Sequence, residues 1–204
     1  MNALAVIPAR YDSQRFPGKP LARLGDRTIV EWVWRAASAC PQFARVLVAT
    51  DDERIAQCVR SFAGEVEMTS SDHATGTDRV AEVAKRYPEM DVVANVQGDQ
   101  PFVSAGQLDD LLGPYLEGRS PEMTTLACPL DGPGVDDPNV VKVVCDVEGR
   151  ALYFSRAPIP YSFTDRVGFL HHLGLYAFRA DFLQKYAQLA PTKLEARERL
   201  EQLR

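Results

Sequence analysis

The first 120 or so residues alternate short apolar runs with stretches of helical periodicity, and few folds admit that alternation. Ala3–Ile7 is an apolar run closed by Pro8, as a buried strand would be. Thr28 reads as the N-cap of a helix over Ile29–Ala39. Arg45–Ala49 is short and rich in valine, a second strand. Asp51 or Asp52 caps a helix from Glu53 to Phe62, Glu65–Met68 is a weaker strand, and Thr77–Tyr87 is a helix stopped by Pro88. Asp91–Val96 is another buried strand, after which Ser104 caps a helix running to Leu116. Strands separated by helices pair in parallel, because only a long crossover returns the chain to the same end of the sheet. The predicted fold is α/β: a mostly parallel, doubly wound sheet.

Beyond this point the pattern changes. Met123–Cys128, Val140–Cys145 and Ala151–Phe154 read as strands with short turns between them, one turn falling at Glu148-Gly149. Phe169–Phe178 is a further strand, and Asp181–Gln188 and Leu194–Leu203 read as helices. A small antiparallel extension at the sheet edge, or a small lobe over it, is expected. Pro129–Pro138 looks like a linker too short to separate independent domains, so residues 1–128 and 129–204 are taken as two regions of one continuous domain. At 204 residues and 46% hydrophobic, the chain has enough material for one sizeable core. A net charge of -5 argues against a nucleic-acid binder. The N-terminus has no basic signal region and no run reaches the length of a membrane span. With four scattered cysteines read as reduced thiols, the expected location is cytoplasmic, with no membrane partner.

Ligands of an open α/β sheet bind at the carboxyl ends of its strands. Three unusual segments fall there. The first is the long loop after the first strand, Pro8 to Pro20, which holds Arg10, Arg15 and Lys19 among prolines and a glycine. Arginine forks and a lysine point charge suit a triphosphate, and prolines reduce the entropy lost on ordering the loop. It is not a Walker A loop, since G-x-x-x-x-G-K-[ST] is absent. The second is Asn95–Pro101, where Asp99 follows Gly98 at a strand end, well placed to hold Mg²⁺. The third is Ser71–Arg79, where Thr75, Gly76 and Thr77 cap a helix and offer N–H groups to an anion or a base edge.

PARYDSQRFPGKPL, ATDDERI, SSDHATGTDR, NVQGDQP, NVVKVVCD, ALYFSRAPIPY, HHLGLYAFR and LEQLR, in that order and over nearly the whole chain, closely resemble the CMP-KDO synthetases, or 3-deoxy-manno-octulosonate (KDO) cytidylyltransferases. The resemblance implies the nucleotidyltransferase α/β fold, a homodimer, and transfer of CMP from CTP to KDO for lipopolysaccharide biosynthesis, with Mg²⁺ as cofactor. It assigns Arg10, Arg15 and Lys19 to the CTP phosphates, and Thr75, Arg79 and Gln97 to the rest of the CTP site. Asp99 becomes the metal ligand, and Arg10, Arg15, Lys19 and Asp99 the catalytic set. Arg156, His172, Tyr176, Glu201 and Gln202 would line the sugar-acid pocket. On their chemistry alone, His172 reads rather as a buried structural histidine and Tyr176 as core. The hydroxyl of Thr75 stands where many relatives carry serine.

Family members also run on past LEQLR, with a second metal-binding aspartate in a G-x-D-x-P-x-D/E-L segment, so the sequence is expected to be shortened. Its last helix, ending within a few residues of Glu201 and Gln202, is expected to fray. Two alternatives stand beside this: a nucleotidyltransferase for amino-KDO, sialic acid or a polyol phosphate, and a nucleotide-binding regulatory protein without a complete metal site. The cationic loop gives a direct check. Arg15→Ala is expected to cost about 1–3 kcal/mol in CTP binding or turnover, since a charge-assisted contact is lost. A folded variant that bound and used CTP like the parent would remove the loop from the phosphate site.

Overall fold

A computed structural model describes residues 1–12, 16–163 and 168–204. In chain order its elements are β1 (Ala3–Pro8), β2 (Arg23–Leu24), β3 (Arg27–Thr28), α1 (Ile29–Ser38), β4 (Phe43–Thr50), α2 (Glu53–Ser61), β5 (Glu65–Met68), α3 (Gly76–Ala84), β6 (Val92–Asn95) and α4 (Ala105–Leu116). There follow β7 (Met123–Leu130), β8 (Lys142–Cys145), β9 (Ala151–Ser155), β10 (Phe169–Arg179), α5 (Ala180–Tyr186) and α6 (Lys193–Glu198). The helix starts follow their caps. Thr28, Asp52, Thr75 and Ser104 each accept a backbone N–H of the first turn, and Thr75 and Ser104 close capping boxes with Asp78 and Gln107.

The chain divides into two compact units: 1–124 with 175–187, and 125–174 with 188–204. The division differs from a cut at 128/129, because the end of β10 and all of α5 pack into the first unit. Phe178, Leu183 and Tyr186 join its core, and Tyr115 Oη donates to Ala177 O at 3.1 Å. Nor is 129–138 a loose connector: β7 runs to Leu130, a 3-10 turn covers Gly132–Val135, and Val135 is buried.

In the first unit the strand order is β5-β4-β1-β6-β10, parallel except for β10, whose Tyr176 lies opposite Asn95 of β6. Ala3 to Ile7 are fully buried, which is why β1 reads as a continuous apolar run rather than an alternation. Its alternate residues Leu4 and Val6 join Val80 and Val83 of α3 and Leu183 of α5 in one cluster. On the other side α1 packs on β1, β4 and α4. Helices therefore cover both faces, and each buried leucine contributes about 1.5–3 kcal/mol.

The second unit is antiparallel. β8 lies between β10 and β9, with His171 opposite Lys142 and Lys142 opposite Ser155. Its core joins Val143, Phe154 and Leu200. The helix expected over Leu194–Leu203 ends at Glu198 instead. Arg199 takes a left-handed conformation, φ 53°, and turns Leu200 inward onto Val143 and Phe154. The segment after it is tied back by side chains. Thr192 Oγ1 donates to Leu203 O at 2.7 Å, and Arg204 Nη2 pairs with Glu195 Oε1 at 2.7 Å.

Candidate active site

The order of the first sheet fixes where a ligand can enter. From β1 the chain steps outward to β4 and β5, then returns through α3 to β6 on the other side of β1. The loops leaving β1 and β6 lie side by side at the carboxyl ends of these neighbouring strands, where ligands of an open α/β sheet bind. Pro8, Arg10, Lys19, Gln97, Gly98 and Asp99 line a cleft there from those two loops. His73, Thr75, Gly76 and Arg79 close it from the entry of α3. All three segments singled out in the sequence thus meet in one cleft.

Two glycines make the close approach possible. A Cβ on Gly98 would lie 2.6 Å from Pro8 O, so no side chain fits there without moving backbone. Gly18, at φ +70°, closes the cationic loop with its N–H 2.8 Å from Tyr11 O. Tyr11 is in turn covered by the Arg54 guanidinium, whose Cζ is 3.3 Å from the ring centroid. Arg54 is held by Asp52, the cap of α2.

The charged groups divide by burial. Lys19 Nζ donates to Asp99 Oδ2 at 2.9 Å, with 34% and 53% of the two side chains exposed. Such an open pair is worth about 0–1 kcal/mol, so ligands can exchange it cheaply. Arg10 is exposed beside it. Arg15 lies outside the described residues. Arg79, by contrast, is buried and fixed: it donates to Thr69 Oγ1, and its Nη2 lies 3.1 Å from Asp51 Oδ1. That carboxylate oxygen is close enough for charge attraction but is not aligned as a hydrogen bond.

Gln97 is oriented by groups the sequence did not flag. Its Nε2 donates to Asn95 Oδ1 at 3.1 Å, and Asn95 Nδ2 donates to Thr77 Oγ1 at 3.0 Å. Asn95 and Thr77 are both buried. A polar residue ending the apolar run DVVANV was the available signal, since buried amides require partners. Thr75 spends its hydroxyl on Asp78 N at 3.1 Å as a cap, while remaining at the cleft wall.

In the second unit, His172 is buried. Gln202 Nε2 lies 3.3 Å from its Nδ1 and Thr125 Oγ1 lies 2.8 Å from its Nε2. Burial, with a smaller push from His171, lowers its pKa to about 4, so it is neutral at pH 7. The sequence-predicted pair His172 and Gln202 is thus brought together. Arg156 is committed to backbone: Nε donates to Glu198 O at 2.7 Å, Nη1 to Pro138 O at 2.7 Å, and Nη2 to Arg199 O at 3.3 Å. Glu198 accepts from Ser155 Oγ at 2.6 Å and from Arg156 N at 2.9 Å. Lys142, fully buried, donates to the carbonyls of Asp137, Val140 and Arg156 at 2.6–2.9 Å. A lysine within the apolar run VVKVV was its sequence signal. Glu201 is half-buried in the same unit. Tyr176 belongs to the first unit, half-buried against the core.

A cleft lined by Arg10, Lys19 and Arg79 at the switch point of a parallel sheet is the arrangement of a ligand-binding α/β protein with affinity for anions. The sequence model of the cytidylyltransferase family matches residues 4–204. A 3-deoxy-manno-octulosonate cytidylyltransferase of Acaryochloris marina is 62% identical over 100% of this chain and 84% of its own. Its counterpart in Geobacter sulfurreducens is 46% identical over 100% and 86%. A solved structure of CMP:2-keto-3-deoxy-manno-octonic acid synthetase complexed with CTP superposes with a TM-score of 0.93 at 41% identity, covering 100% of this chain and 84% of that one. The chain belongs to the 3-deoxy-manno-octulosonate cytidylyltransferase family.

The tight floor of the cleft gives a check on its geometry. Gly98→Ala is expected to lower stability by about 1–3 kcal/mol through overpacking and to weaken nucleotide binding. Gly76→Ala should do less, because its Cβ meets a proline ring carbon at 3.3 Å rather than a carbonyl. Thermal melts and nucleotide titrations compare the two. A Gly98→Ala protein with parent-like melting and binding would contradict the close approach.

Proposed function

We infer that this chain transfers the cytidylyl group of CTP to the 2-hydroxyl of KDO, giving CMP-KDO and pyrophosphate. The observation that carries this is the Lys19–Asp99 pair at the switch-point cleft, in a chain 62% identical to a protein named for that activity. The KDO hydroxyl oxygen forms a bond to the α-phosphorus and gives up its proton to water, the bond from that phosphorus to the bridging oxygen breaks, and pyrophosphate leaves with the charge. Arg10, Arg15 and Lys19 neutralise that charge as it grows, and positioning does most of the remaining work. Arg79, Thr75 and Gln97 hold the nucleotide. Their support is placement: all three line the cleft, the buried Arg79 is held by Thr69 and Asp51, and Gln97 is held by the buried Asn95.

Mg²⁺ fits what the cleft offers. It takes one or two carboxylates together with substrate phosphates and water, rather than an all-protein cage. Asp99 is a half-exposed carboxylate on the cleft wall, and among the described residues no cluster of three or more acidic, histidine or cysteine groups competes with it. When bound, the metal would supply charge neutralisation at the phosphate oxygens.

Arg156, His172, Glu201 and Gln202, with Tyr176, are proposed for the sugar acid. With its guanidinium on three carbonyls, Arg156 serves the sugar chiefly by ordering 198–199. Cytoplasmic location, a homodimer and a place in lipopolysaccharide biosynthesis belong to the same proposal. No helix among the described residues is long and apolar enough to cross a membrane.

The test is pyrophosphate release by the full-length protein from CTP with KDO, amino-KDO, sialic acid or a polyol phosphate, each with Mg²⁺. KDO is expected to give the highest kcat/KM. Another acceptor in first place would replace the sugar, and release no faster than the sugar-free control would contradict transfer. Asp99→Asn is expected to fold like the parent and lose Mg²⁺-dependent turnover, since an amide is a poor ligand for a hard cation. Unchanged activity across a Mg²⁺ titration would remove Asp99 from the metal.

A further inference from the structure

His73 lines the nucleotide cleft, and neither phosphate binding nor metal binding uses it. Its Nε2 lies 2.5 Å from Glu82 Oε2 on α3. Glu82 also accepts from Ser70 N at 3.0 Å and pairs with Arg86. Burial works against this carboxylate, but the bonds from His73 and Ser70 and the charge of Arg86 hold its pKa below the usual range. An ionised carboxylate accepts and cannot donate. The proton of a neutral His73 ring therefore belongs on Nε2, which leaves Nδ1 as an acceptor.

An acceptor is mismatched to a triphosphate, whose oxygens are acceptors too, and Arg10, Lys19 and Arg79 already supply donors to the cleft. It matches the nucleoside half, where CTP carries its donors: the 4-amino group of the base and the ribose hydroxyls. We infer that His73, set in one tautomer by Glu82, accepts a hydrogen bond through Nδ1 from the nucleoside of bound CTP and so helps select the nucleotide. This rests on the nucleotide site proposed above. It gives the SSDHATGTDR segment a reading function in addition to capping α3. Glu82 is then a positioning residue, acting through His73 while its bond to Ser70 steadies the same loop.

Two variants separate this from a structural tie. His73→Gln places an amide donor where Nε2 was, keeping the link to Glu82, and leaves nothing where Nδ1 was. Glu82→Gln keeps the shape, but its amide can donate to Nε2 and move the ring proton to Nδ1. Each is titrated calorimetrically with CTP, UTP, 2′-deoxy-CTP and 3′-deoxy-CTP, without sugar, and melted alongside the parent. His73→Gln is expected to melt like the parent and lose three- to tenfold in CTP affinity. The preference for CTP over UTP should narrow by the same factor if the donor is the amino group, or the preference over a deoxy analogue if it is a hydroxyl. Glu82→Gln should shift the same preference, and it carries the test if His73→Gln fails to fold. Equal losses for all four nucleotides, or parent-like affinities throughout, would overturn the contact. Failure of the parent itself to bind CTP would instead remove the nucleotide site on which the contact rests.

Discussion

β1 is bonded along one edge to β4 and along the other to β6, both in parallel, and its residues Ala3 to Ile7 are shielded completely from water. The outward path through β4 and β5 leaves the other edge of β1 to β6, and the cleft lies at the carboxyl ends of these two neighbouring strands. Its floor is set by how near residue 98 comes to Pro8 O, and glycine is the residue that permits that distance.

Upon this frame the cleft combines fixed and exchangeable polar groups. Thr77 and Asn95 are buried and link to the half-buried Gln97, and breaking their bond would leave orphaned groups that each cost about 1–3 kcal/mol. Arg79 is similarly enclosed between Asp51 and Thr69. The Lys19–Asp99 pair lies open to water and costs little to separate. On the proposed function, groups that recognise one shape are locked, while those proposed to trade partners with phosphate and metal are held loosely.

The parallel half of the fold was legible because its signals are local. Caps at Thr28, Asp52 and Ser104 and the unbroken apolar run of β1 follow from the residues themselves. The three cleft segments were legible for a related reason: glycines, prolines and charges gathered at strand ends stand out from the apolar runs they follow. The misplaced features depend on distant partners. Arg199 breaks the last helix because Leu200 is drawn to Val143 and Phe154, more than 40 residues away, and nothing in KLEARERLEQL announces a left-handed arginine. The return of α5 to the first unit likewise depends on Leu183 and Tyr186 finding a core built from β1, β4 and α3. The three carbonyl partners of Arg156 also come from distant segments and could not be read from the sequence. His73 and Glu82 are nine residues apart in sequence, but their pairing needs the turn of the chain into α3.

We propose that Asp99, paired with Lys19, competes with the nucleotide for that lysine until a metal takes the carboxylate. Calorimetric titration of CTP into the parent and into Asp99→Asn, each with and without Mg²⁺, tests it most directly. Without Mg²⁺ the variant should bind CTP more tightly than the parent, because Lys19 is freed and a carboxylate no longer faces the triphosphate. With Mg²⁺ the order should reverse, the parent gaining affinity and the variant gaining little. A variant weaker than the parent under both conditions, or a parent indifferent to Mg²⁺, would contradict the exchange.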